Sequence, residues 1–73
     1  MAMTQREVNA KRKLIRHLNE QGYPKYARLL DKLDVKLLDR DSDDIAYIIA
    51  SKATMYLNPG INIDQASTIV RHE

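Results

Sequence analysis

Residues Asp43 to Gly60 read DDIAYIIASKATMYLNPG, and whether they form one helix or two strands decides the fold. Ile45 to Ala50 is apolar throughout, so hydrophobic periodicity cannot separate a buried strand from a buried helix. Two local signals favour a helix. Ser42 is a good N-cap, and Asp43 and Asp44 would sit near the positive end of its dipole. Against them stand the β-branched and aromatic residues Ile45, Tyr47, Ile48, Ile49, Thr54 and Tyr56, which fit a pleated, half-buried surface. In the strand reading Ser51-Lys52 is a tight turn that makes 45–50 and 53–57 a hairpin. In the helical reading one helix runs from 43 to 57. Asn58-Pro59-Gly60 ends either version, because Pro59 biases Asn58 away from helical dihedrals and Gly60 permits positive φ.

Upstream the signals are local and plain. Thr4-Gln5-Arg6-Glu7 fits the capping box, in which Thr4 accepts from the first turn and Glu7 reaches back to it. Helical spacing then runs to Gln21, with Val8, Leu14, Ile15 and Leu18 on one side, and Gly22 supplies the left-handed residue that ends such a helix. Tyr23-Pro24 opens a second, shorter helix to about Leu33, since proline suits a first helical turn. The two should pack as a helical hairpin over residues 4–33. Val35 to Leu38 has the composition of a short strand. Residues 39–44 form a polar loop with four aspartates, but it lacks the glycine and the closing glutamate of a calcium loop.

Downstream, Asn62 is placed to cap a last helix over 62–73, with Gln65 completing a capping box. Ile63, Ala66, Ile69 and Val70 form its apolar side. The expected architecture is α+β: a helical hairpin, a small sheet at about 45–57 and a C-terminal helix. The alternative is an all-α domain of four helices.

With 73 residues the chain is one small domain, and a chain of that size buries only ~60% of its unfolded surface. It contains no cysteine, which removes disulfides and thiolate metal sites and suits a reducing cytoplasm. No apolar run approaches the ~18 residues of a membrane span, and the opening residues hold no apolar run of the signal-peptide kind. The net charge of +2 hides an asymmetry: residues 1–38 carry nine Lys and Arg against four acids, and residues 39–73 carry three against six. A basic helix face that includes Lys11, Arg12, Lys13 and Arg16 suggests one kind of partner, nucleic acid or an acidic protein. A solvated helix face accounts for the same residues. The tyrosines lack the aromatic and basic interleaving of a single-strand binding face.

Three segments, taken in order, carry a family resemblance: Tyr23-Pro24-Lys25-Tyr26-Ala27-Arg28-Leu29-Leu30, then Tyr56-Leu57-Asn58-Pro59, then Ile69-Val70-Arg71-His72-Glu73. Together they resemble the start of the minimal zincins, metallopeptidases of bacteria and phages. In that family a helical start leads into a small sheet, and a strand ending in Asn-Pro precedes the helix that bears H-E-x-x-H. The resemblance implies that His72 is the first zinc ligand and Glu73 the general base. It also implies that the strand at 53–57 is the edge along which an extended peptide substrate lies. In such a motif two histidines at i and i+4 share one helix face and one zinc. The metal lowers the pKa of its water to ~7, and the glutamate takes the proton. The second histidine would fall three residues past Glu73 in this motif. The expectation is therefore an N-terminal part of a longer zinc metallopeptidase, inactive alone and unable to hold zinc tightly.

Overall fold

The computed structural model describes residues 2–72. Three helices pack on one face of a three-stranded mixed sheet, so the fold is α+β. The helices are α1 (Gln5–Glu20), α2 (Pro24–Asp31) and α3 (Ile63–Arg71), and the strands are β1 (Asp34–Leu37), β2 (Ala46–Ile49) and β3 (Thr54–Leu57).

Local chemistry sets the helix ends. Thr4 Oγ1 accepts the Glu7 N–H at 3.2 Å, and Glu7 Oε1 accepts the Thr4 N–H at 2.8 Å, which completes the capping box. Gly22 ends the α1 region at φ 87°, a region open to glycine without steric cost. Pro24 occupies the first turn of α2. At α3 the cap differs in detail from the expected box: Asn62 Oδ1 accepts the N–H of Asp64 at 2.8 Å, two residues on.

The stretch 43–60 resolves as strands. β2 and β3 run antiparallel with Tyr47 opposite Tyr56 and Ile48 opposite Met55. The link is a single 3-10 turn, Ala50–Lys52, followed by Ala53 in the left-handed region at φ 48° and ψ 44°. A helix over 43–57 would be apolar nearly all round, and only part of that surface could be buried. As strands, the same residues sort by parity. Met55, Leu57 and Ile48 turn into the helical layer, while Tyr47 and Tyr56 stack on the outer face at 4.9 Å between ring centroids. Ser42 accordingly caps no helix; its Oγ accepts the Asp44 N–H within the loop.

β1 pairs in parallel with β3, Val35 opposite Met55, which gives the strand order β1-β3-β2. That order corrects one expectation. Residues 54–57 are the central strand, hydrogen-bonded on both sides, and so cannot be the edge beside which a peptide lies. The two edges differ. The outer side of β1 is closed, because the Val35 N–H donates to Met3 Sδ at 3.2 Å and the Leu37 N–H to Glu7 Oε2 at 3.3 Å. The outer side of β2 has no strand against it among the described residues.

One apolar cluster joins the layers. Leu14 and Leu18 of α1, Leu30 of α2, Val35 of β1, Met55 of β3 and Val70 of α3 are all fully buried. Each contributes on the order of 1.5–3 kcal/mol by leaving water. Among the described residues, no helix is long and apolar enough to cross a membrane.

Candidate functional site

Beside its core packing, α3 makes three polar ties to the end of α1 and the start of α2. His17 Nε2 lies 2.8 Å from Asp64 Oδ1. Ser67 Oγ donates to Gln21 Oε1 at 2.8 Å. The Arg71 guanidinium stands 4.7 Å from the centre of the Tyr23 ring. Residues 64, 67 and 71 follow one another at helical spacing, so they form one polar stripe beside the apolar stripe of Ala66 and Val70. His17, Gln21 and Tyr23 thus add to the apolar packing of Ala66 and Val70 in setting how the last helix lies.

That helix delivers His72. The residue is the C-cap of α3, exposed, with helical dihedrals of φ −89° and ψ −1°, and its N–H bonds to carbonyls of the preceding turn. The backbone at His72 therefore still follows a helical path. Glu73 lies outside the described residues. Among the described residues no three His, Cys, Asp or Glu side chains gather into a group able to hold a metal ion. These residues do not by themselves fit a zinc site, because a lone imidazole is not a coordination sphere.

The turn ahead of α3 is held by Asn58. Its Oδ1 accepts the Gly60 N–H at 2.9 Å, and its Nδ2 faces the carbonyls of Arg40, Ser42 and Asp44 at 3.3–3.4 Å. One side chain thus shapes the turn and ties it to the aspartate-rich loop. The asparagine read as a motif letter is a junction between two loops.

The four basic candidates do not make one patch. Lys11 Nζ donates to the carbonyl of Asp31 at the end of α2, at 2.9 Å, where a cation also offsets the negative end of the helix dipole. Arg12 and Arg16 are exposed on α1, and Lys13 turns to a different surface. There it joins Arg6 and Asn9 on the rim of a cleft of about 470 Å³, between α1, the carboxyl ends of β1 and β3, and the start of α3. Arg6 and Asn9 were not picked out in sequence. Positions 6, 9 and 13 recur at helical spacing, but nothing in that spacing announces a cleft.

The resolved electrostatic perturbation falls on Glu7, whose carboxyl lies below the usual carboxylate range. The Thr4 backbone N–H is the main cause, assisted by the Leu37 N–H, the Thr4 hydroxyl and the charge of Lys36, with partial desolvation opposing them. This is a structural carboxylate, engaged on both oxygens.

No family model, no curated protein and no solved structure matches the chain.

Proposed function

We propose that this chain is the N-terminal portion of a zinc-dependent metallopeptidase, supplying a substrate-binding edge and the first half of the metal motif. The observation that carries the reading is the hairpin at 46–57 followed by the Asn58 turn and a helix that ends on an exposed His72. A continuous helix through 43–57 would have left no sheet edge to hold a substrate. The correction to the strand order moves that edge from β3 to β2. Its four residues, AYII, carry no charge and no proline, the devices that usually keep an edge strand from pairing. An extended peptide could add to β2 through main-chain hydrogen bonds, with its side chains alternating between the two faces.

In this reading α3 holds His72 in place through the Asp64, Ser67 and Arg71 ties, and Glu73 follows as general base. Both act only where a later histidine and a third ligand complete the set, so the 73 residues alone hydrolyse nothing.

The test is an extended protein that continues past Glu73 in its reading frame. A histidine is expected three positions beyond Glu73, with equimolar zinc by elemental analysis. His72→Ala should lose the metal, and Glu73→Gln should keep it and lose hydrolysis of an unstructured casein substrate. Another residue at that position, or zinc unchanged in His72→Ala, defeats the reading.

A further inference from the structure

The cleft on the other side of α3 has a composition of its own. Its floor is apolar, built from Leu14, Leu37, Leu57, Ile61, Ile63 and Ala66. Its rim carries two cations, Arg6 and Lys13, with Asn9 and Asn62 between α1 and α3, and no aspartate or glutamate among the described residues lines it. Neither cation has an ion-pair partner among the described residues. Arg12 and Arg16 are likewise without an ion-pair partner among the described residues, but Arg6 and Lys13 share the rim of one apolar cleft. There two long basic side chains stand at the rim of a cleft whose accessible apolar surface comes from the half-buried Leu37, Ile61 and Ile63.

The position adds to the argument. Leu37 and Leu57 are the last residues of the parallel pair β1 and β3. The cleft thus opens where these two strands give way to the turn at Asn58 and the start of α3. The volume of about 470 Å³ falls within the ~300–1,000 Å³ of small-molecule pockets, which combine an apolar lining with a few polar groups.

We propose that this cleft binds a small amphiphilic anion, a carboxylate or phosphate on a compact apolar body. The anionic head is held by Arg6 and Lys13, and the body lies on Leu37, Ile61 and Ile63. Both oxyanions suit the guanidinium fork of Arg6, and the ammonium of Lys13 adds a point charge. The proposal does not depend on the metallopeptidase reading, since the cleft shares no residue with His72 or with β2.

The experiment titrates the isotopically labelled 73-residue chain with octanoate, octyl phosphate, octylamine and octanol, following backbone amide shifts. Octanoate and octyl phosphate should bind saturably, with shifts concentrated at Arg6, Asn9, Lys13, Ile61 and Ile63. The stronger of the two tells which oxyanion the site prefers. The double variant Arg6→Ala, Lys13→Ala should weaken both by about tenfold or more. Arg12→Ala, Arg16→Ala, which removes equal charge elsewhere on α1, should leave them unchanged. All four positions are solvent-exposed, and circular dichroism checks that each variant stays folded. Octylamine or octanol binding as tightly as octanoate, shifts scattered over the surface, or equal losses in the two double variants would overturn the proposal.

Discussion

Glu7 and Leu37, thirty residues apart, are joined through the Glu7 carboxylate, whose Oε2 accepts the Leu37 N–H at 3.3 Å while Oε1 accepts the Thr4 N–H at 2.8 Å. One side chain caps a helix and closes the edge of a sheet. Glu7→Ala should therefore destabilise the chain by about 1–2 kcal/mol, more than an ordinary exposed cap. Glu7→Gln should cost less, because it retains one acceptor. The pH dependence follows in sign. The folded carboxyl titrates below its unfolded value, so its contribution is complete above about pH 4.3. It is lost as pH falls through the lowered folded value. Solvent screening keeps the effect modest, since the carboxylate is only partly buried. Urea denaturation at pH 7 and pH 3 should show the gap between wild type and Glu7→Gln narrowing on acidification. A gap that is constant or widens contradicts the arrangement.

How much of this was legible in the sequence follows from the range of the interactions concerned. The capping box at Thr4 and Glu7, the proline opening α2 and the left-handed Gly22 are decided within a few residues, and all appear as read. The stretch 43–57 is settled by pairing that no local window contains. Ile48 meets Met55 across a hairpin, and Val35 meets the same Met55 from a parallel strand twenty residues upstream. The parallel pairing is also why β3 was mistaken for an edge. Nothing in TMYL says that strands will lie on both sides of it. In the candidate site, the exposed end of α3 was readable from its spacing. The roles of Lys11, His17 and Asn58 were not, because each depends on a partner distant in the chain.

Asn58 makes a second prediction. Its side-chain amide holds the 40–44 loop by three carbonyl contacts, and its oxygen shapes the turn to Gly60. Asn58→Ala should cost about 1–3 kcal/mol, since several backbone groups lose their partner at once. The loss should be local before it is global. Limited trypsin digestion should cut after the exposed Arg40 faster in the variant, while α1 keeps its amide exchange protection. Asn58→Asp retains the turn acceptor and loses the donor, so it should loosen the loop almost as much. Unchanged cleavage at Arg40 in both variants would remove Asn58 from this role.

Ala53 is strained where it stands. Its left-handed dihedrals are φ 48° and ψ 44°; its carbonyl accepts the Asp34 N–H at 2.9 Å and its N–H donates to the Ala50 carbonyl at 3.0 Å, so the conformation is held by β1 and by the 3-10 turn. For an alanine this region costs about 1–2 kcal/mol, and glycine removes that cost while adding about 0.4–1 kcal/mol of unfolded-state freedom. Ala53→Gly should come out stabilising by about 0.5 kcal/mol, raising the melting temperature by about 2–4 °C. Ala53→Val should lower it, because a β-branched residue fits the left-handed region worse. A glycine variant that melts below wild type would mean that the turn is not strained.

The last prediction concerns what fixes α3, and with it the direction in which His72 points. Arg71 lies over the Tyr23 ring at 4.7 Å, and its Nη1 is 3.3 Å from the phenol oxygen, a long contact. Its Nε is buried with no hydrogen-bond partner among the described residues. The ring face therefore carries the attraction, and the hydroxyl adds little. Tyr23→Phe should cost less than about 0.5 kcal/mol, whereas Tyr23→Leu should lose the cation–π contribution of roughly 0.5–2 kcal/mol together with packing. Arg71→Met keeps much of the buried stem and removes the orphaned donor, which offsets part of its loss. In a double-mutant cycle, Tyr23→Leu with Arg71→Met should show a coupling of about 0.5–1.5 kcal/mol. Tyr23→Phe with Arg71→Met should show almost no coupling, because the ring face that meets the cation is kept. If Tyr23→Phe is as costly as Tyr23→Leu, the hydroxyl is the true tie, and α3 is anchored through hydrogen bonding along its whole polar stripe, from Asp64 through Ser67 to Arg71.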